Sequence, residues 1–235
     1  MLHLYDEAIY RPILNLLIFL YNIIPGHDIG VVIILVTIVI RFILAPFMHK
    51  SLKSQRAMNN LQPKLNEMRE RLKGDKEAQA KAMMALYKEH KINPLSSCLP
   101  LLIQLPILIA LYQVFAKALH SNLTGLYHFI HNPGIVNPKL FGLVDLSQPN
   151  WIFGVLAGLA QYWQSKLMLP STASTDPTAK AMNLQTTYVL PIISVIIAIK
   201  LPAGLPLYWI VTTLFAVAQQ YYIMRKEDKQ PQVIG

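Results

Sequence analysis

Arg41 is the residue whose surroundings ask for a chemical explanation. It is the only charge in the string VTIVIRFILAPF. It lies seven residues before Met48, or about 10 Å along a helix. An arginine at the centre of a bilayer costs about 2.5–3.5 kcal/mol on insertion scales. Two arrangements lower that cost: the long side chain reaches back to the headgroups, or it faces water held between helices. No Asp or Glu lies within any of the long apolar stretches described below. Arg41 therefore has no ionic partner there, and an unpaired charge favours water. Other polar groups recur on the same apolar background: Gln104 and Gln113, then Gln161, Gln164 and Ser165, then Thr212, Thr213, Gln219 and Gln220. Each either lines a polar groove with Arg41 or bonds a neighbouring helix.

Bond-breaking chemistry lacks its parts. An intramembrane hydrolase needs a Ser–His, Ser–Lys or carboxylate pair within apolar segments. Ser165 has no base nearby in sequence, and the lysines stand at segment ends. His120, His128 and His131 are close in sequence but fall in a loop, without visible ligand geometry for a metal. The reading is a protein that is no enzyme and needs no metal or cofactor.

The elements that must position Arg41 follow from composition. Of 235 residues, 54% are apolar and 14% charged, against roughly 25% charged in soluble domains. Mean hydropathy is +0.38. One cysteine, Cys98, excludes a disulfide scaffold. The apolar residues come in long blocks, which points to an all-α polytopic membrane protein. Five stretches are candidates to cross a bilayer: 29–48, 95–118, 151–168, 187–201 and 205–224. A sixth run, Ile13 to Ile24, is too short to span and is broken by Pro25-Gly26. It reads as a helix lying in the interface.

Charge sets the expected orientation. Eleven of the 21 Lys and Arg residues lie between Lys50 and Lys91. With the other loops on that side, sixteen face two, so the N-terminus is expected outside and the C-terminus inside. Within the basic loop, Leu61, Leu65, Met68 and Leu72 form one helical stripe, and Ala80, Met83, Met84 and Tyr87 another. Lys73-Gly74-Asp75 separates them, which predicts an antiparallel hairpin. Such a hairpin is either a solvated element or a docking surface for headgroups or a large anionic partner. The outer segment 119–150, with Pro133, Gly134, Pro138 and Pro149, reads as short interfacial structure rather than a folded domain. The apolar outer half of the first stretch and Ile192 to Ile199 are expected to plug the outer side above Arg41.

Four strings carry a resemblance: RFILAPFMHKSLKSQRAMNNLQPKL, NPLSSCLPLLIQLPILIALYQV, WQSKLM with its following TDP, and LPAGLPLYWIV. In this order they resemble the YidC/Oxa/Alb family of membrane protein insertases, over most of Arg41 to Tyr222. The resemblance implies five transmembrane helices around a cytoplasm-open hydrophilic groove, with a cytoplasmic helical hairpin. It implies that the family's groove arginine is Arg41, its Q-x-K-L glutamine Gln164 and its LYW tryptophan Trp209. Gln104, Thr37 and Thr212 join the expected groove by position. By the resemblance, the chain is expected to lack the large outer domain of longer family members.

The implied function is to move apolar segments of nascent proteins from the cytoplasm into the bilayer, without ATP. The expected division is an outer interfacial helix at 1–28, an insertase core at 29–225 with its hairpin at 50–92, and a cytoplasmic tail at 226–235. Expected partners are nascent membrane proteins and the lipid bilayer of the plasma membrane. Ribosome, signal recognition particle receptor and Sec translocon are candidates for the hairpin and tail, and no specific nucleic-acid sequence is expected. Two other readings stay open here: a channel or small-solute transporter with Arg41 as an anion site, and a scaffold or chaperone that binds membrane proteins without inserting them.

Overall fold

A computed structural model describes residues 2–93, 96, 99–119, 123–169 and 177–227. Cys98, His120, the Thr175-Asp176 pair and the tail from residue 228 lie outside the described residues. The described chain is predominantly helical. Helix α1 (Leu2–Tyr5) runs through a π turn at Asp6–Tyr10 into α2 (Arg11–Ile23). After α3 (Ile29–Asn60) come α4 (Gln62–Arg71) and α5 (Lys76–Glu89). α6 (Leu99–Leu119) leads to two short antiparallel strands, β1 (Lys139–Leu140) and β2 (Val144–Asp145). α7 (Trp151–Met168), α8 (Pro177–Leu184), a second π turn (Gln185–Val189), α9 (Leu190–Ala198) and α10 (Gly204–Glu227) complete the order.

Both π turns share one cause. Each stands just ahead of a proline, Pro12 and Pro191, whose missing N–H leaves an earlier carbonyl without its usual donor. The backbone widens by one residue: Arg11 N–H bonds to Asp6 O, and Leu190 N–H to Gln185 O.

The contacts fix how the helices run past one another. α3 and α10 are parallel, since Arg41 meets Thr212 and Ala45 meets Gln219. α6 is antiparallel to α10, with Phe115 over Gly204 and Gln104 beside Tyr208. α7 and α10 are parallel, through Gln161–Trp209 and Leu167–Gln220. α7 and α9 are antiparallel, through Gly154–Ile199 and Gly158–Val195.

By length and hydropathy, α3 alone among the described residues qualifies as a membrane-crossing helix. The apolar stretches Leu102–Lys117 and Gln185–Ala198 are shorter. The sequence reading of five membrane-crossing stretches, the fourth of them short, is therefore met in part. The polar groups of α7 and α10, among them Gln161, Ser165, Thr212, Thr213 and Gln220, lower the hydropathy of their own helices. Several of them are buried in the bundle. Meanwhile Leu102, Ile109, Leu159, Ile192 and Ile196 are at least half exposed, the inverse of a water-soluble surface.

Three sequence expectations change. The N-terminal helix starts at Leu2, not near Ile13, and does not merely lie on the core: Leu14, Leu17 and Ile18 are wholly buried. The outer segment is more than interfacial loop, because Leu123, Ile130, Val136, Leu140 and Leu146 enter the main core. The hairpin expected over 50–92 has no boundary at 50, since α3 continues unbroken to Asn60 and the chain first turns at Leu61. Its small core is Leu61, Leu65 and Tyr87, with Met58, Met68 and Met83 against it, while Met84 points outward.

Asp28 and Asn15 bind this outer layer together. One Asp28 oxygen accepts from Gly30 and Val31 N–H at the start of α3, and the other accepts from Phe141 N–H in the β1–β2 turn. Gly30 lets Leu140 close on α3, since a Cβ there would fall 2.3 Å from Leu140 Cδ1. Asn15, 2% exposed, donates to Arg11 O (2.7 Å) and Gly125 O (3.1 Å) and accepts from Tyr127 N–H (2.7 Å). Asn15→Leu strips the side-chain partner from the part-buried Tyr127 N–H and leaves Gly125 O with only the longer bond from Arg11 Nε, at 3.4 Å. It is expected to cost about 1–3 kcal/mol, read as a lower unfolding midpoint in detergent; an unchanged midpoint would remove Asn15 as the tie between α2 and the outer loop.

Candidate functional site

Arg41 is 8% exposed. Its side chain does not reach back toward the end of α3 but turns into the bundle. Nε donates to Thr212 Oγ1 on α10 at 3.0 Å, and Nη2 donates to Gln104 Oε1 on α6 at 2.8 Å. Gln104 is itself oriented by its Nε2, which donates to Tyr208 Oη. Three helices thus converge on one guanidinium, and the partners are neutral oxygens. Among the described residues no carboxylate pairs with it.

A guanidinium carries five N–H donors, and two are engaged. The sealed side-chain atoms without a partner among the described residues are Tyr10 Oη, Thr187 Oγ1 and Gln220 Oε1. Among the described residues no partner of Arg41 Nη1 is found, and the side chain keeps a small exposed fraction. The site offers directed cationic donors to a passing acceptor, water or carboxylate, while Gln104 and Thr212 hold the plane of the group.

Above Arg41 the interior is apolar. Val32 and Val36 are wholly buried and Ile33 nearly so, packed in one cluster with Leu111, Val114 and Leu207 beneath Leu140 and Leu146 of the outer layer. The expected contribution of Ile192 to Ile199 to that plug is corrected: Ile192 and Ile196 are 60% and 51% exposed and face away from it. The apolar cluster beside Arg41 is built from α3, α6, α10 and the segment 123–146.

The other sequence candidates divide. Gln104 and Thr212 meet Arg41. Thr37 does not join them. It is wholly buried, and its hydroxyl donates to Ile33 O at 2.6 Å on its own helix. Trp209 is half-buried and donates from Nε1 to Gln161 Oε1 at 3.0 Å, with Ser194 Oγ on the same oxygen. The glutamine beside Trp209 is Gln161, not Gln164, which lies nearly a turn further along α7. Gln113, Gln219 and Gln220 tie helices together, accepting from Tyr5 and donating to Ala45 O and Leu167 O. Two members of the polar layer escaped the sequence reading, Tyr208 and the role of Gln161. Tyr208 precedes Thr212 by four residues, so helical spacing alone puts both on the face that meets Arg41.

Residues 19–230 match the model of the family described as 60Kd inner membrane protein. The chain is 34% identical to the membrane protein insertase MisCA of Bacillus subtilis, over 99% of this chain and 85% of that protein. It is 36% identical to the membrane protein insertase YidC of Fusobacterium nucleatum, over 93% of this chain and 98% of that one. It is 35% identical to YidC of Geotalea daltonii over 92% of this chain. Of that longer relative the chain spans 37%.

Proposed function

The chain belongs to the 60Kd inner membrane protein family, and we propose that it is a YidC-like membrane protein insertase working through the Arg41 site. The single observation that carries the site reading is a guanidinium turned into a helical bundle and held by the neutral oxygens of Gln104 and Thr212, with no carboxylate partner among the described residues. The family relationship makes the substrates nascent membrane proteins and the setting a lipid bilayer.

In the finer reading, α3, α6, α7, α9 and α10 are the five spans. Their alternating directions fit this. The hairpin and C-terminal tail are cytoplasmic, the outer layer of α2 and the β1–β2 loop lies on the opposite face, and the groove opens to the cytoplasm. Among the described residues α6 packs mainly on the N-terminal helix, less on α3 and α10, and no more than weakly on α9. A gap between α6 and α9 is thus the natural exit for an apolar segment into lipid. The division at 1–28, 29–225 and 226–235 is kept with one change: the N-terminal helix is built into the core.

Transfer then follows from partitioning. The substrate's short polar tail enters from the cytoplasm and is hydrated beside Arg41, which shortens the apolar distance it still has to cross. The apolar segment moves into lipid, at a few tenths of a kcal/mol per Leu or Ile on insertion scales. The membrane potential pulls acidic tails outward. No covalent bond is made or broken. A solute channel lacks support: the relatives are named insertases, and the packed layer of Val32, Ile33 and Val36 stands across the path.

Ribosome, signal recognition particle receptor and Sec translocon remain proposed partners of the basic hairpin and tail. The test of function is reconstitution of the purified full chain in vesicles with a short single-span substrate bearing an acidic tail. Protease protection of the tail well above protein-free vesicles is expected. Insertion no better than in empty vesicles, or a steady solute leak through the chain, overturns the reading.

A further inference from the structure

A crevice of about 330 Å³ opens between α3 and α10, further toward the C-terminal end of each helix than the Arg41–Thr212 contact. Its origin is visible in the sequence of α3. Pro46 has no N–H to give to Phe42 O, and its ring crowds that carbonyl. Across the crevice α3 and α10 are joined by a side chain, Gln219 Nε2 donating to Ala45 O at 3.0 Å. Ala45 and Ala218, one on each wall, leave the space unfilled. Phe42 and Phe215 close the inner end in an edge-to-face pair, with centroids 5.2 Å apart. His49 and Tyr222 flank the mouth. One turn further along each helix stand Lys53 and Arg225, both exposed.

We propose that this crevice is a binding site for an anionic phospholipid of the cytoplasmic leaflet, one acyl chain lying between Ala45 and Ala218 and the phosphate held at the mouth. The inference rests on the five-span reading only for which leaflet supplies the lipid. The charge argument selects this occupant. An apolar slot facing lipid is filled by lipid unless a protein competes. The slot ends where His49 and Tyr222 supply hydrogen-bonding groups, with an exposed cation, Lys53 or Arg225, one turn further along each of the two helices. A phosphodiester matches that pairing of a greasy stem with a multiply accepting, negative head. A helix from a partner, about 10 Å across, has no use for cations gathered at one end of a slot this small.

The test uses the full chain released from nanodiscs containing phosphatidylglycerol and phosphatidylcholine, with retained lipids counted by native mass spectrometry. Wild type is expected to keep phosphatidylglycerol in preference to phosphatidylcholine. Lys53→Gln with Arg225→Gln is expected to cut that preference about tenfold, leaving total retention similar. Ala218→Phe, which fills the slot, is expected to abolish retention of either lipid. Ala45→Leu fills it from the other wall, so a folding failure of one variant leaves the other to decide. No preference in wild type, or a preference that survives both the charge and the filling variants, overturns the proposal. So does efficient disulfide pairing of two copies through Tyr222→Cys, which would make this face an interface between chains. Retention is read without any substrate, so loss of insertion activity bears on the function and not on the lipid site.

Discussion

Arg41→Ala is expected to lower insertion of acidic-tailed substrates by about tenfold or more, because a hydrogen bond to a charged group contributes roughly 1.5–3 kcal/mol. Substrates with neutral tails should lose much less. Arg41→Lys should keep most of the activity: it retains the charge, though one ammonium cannot hold Gln104 and Thr212 together as the planar fork does. Gln104 and Thr212 decide how clean the experiment is. In Arg41→Ala both lose their partner at 2.8 Å and 3.0 Å, but Gln104 keeps Tyr208. Folding should therefore survive, which a thermal scan of the variant checks. Equal insertion of acidic tails by wild type and Arg41→Ala, with both folded, would take Arg41 out of the mechanism.

Much of this site was legible because a lone charge in apolar sequence admits few explanations. Arg41, Gln104 and Thr212 stand on three different stretches, and the structure joins them. What the sequence hid was which face each helix turns inward. Gln161 and Gln164 differ by 300° around α7, which no composition argument separates, and Trp209 meets the former. Thr37 looked like a groove residue by being polar and a turn from Arg41. A threonine can return its hydroxyl to the carbonyl four residues back, and here it does. Helix existence was legible from hydropathy, and α7 begins and ends where the apolar stretch does. Helix extent was not, where polar but helix-compatible residues follow apolar ones, as in α3 beyond Met48. The outer layer was the least legible. Its core residues are spread singly among prolines and glycines, with no period to reveal that Leu140 and Leu146 bury themselves on α3 and its neighbours.

The same blindness to face concealed a close helix contact, which yields the second large effect. Gly154 and Gly158 stand four apart on α7, a small-xxx-small pattern that lets two helices approach closely. A Cβ at Gly158 would fall 2.1 Å from Val195 Cγ2, with Pro191 O at 3.2 Å. A Cβ at Gly154 would fall 2.9 Å from Ile199 N and 3.2 Å from its Cα. The two obstacles differ in kind. At Gly158 the only atom under 3.0 Å is a methyl that truncation removes; at Gly154 the Ile199 Cγ2 methyl is nearest, but the Ile199 main-chain N also lies under 3.0 Å. Both Gly158→Ala and Gly154→Ala are expected to destabilise, by about 1–3 kcal/mol for overpacking, and the leucine variants by more. Adding Val195→Ala should recover much of the Gly158→Ala loss. For Gly154→Ala no truncation of Ile199 should do the same, because its backbone cannot be trimmed. α9 carries Ser194 onto Gln161, and Gln161 meets Trp209. Forcing α9 away should therefore also loosen Trp209, seen as a shift in its fluorescence. If Gly158→Ala unfolds at the wild-type midpoint, α7 and α9 do not pack at this distance, and the Gln161–Trp209 layer they support loses its frame.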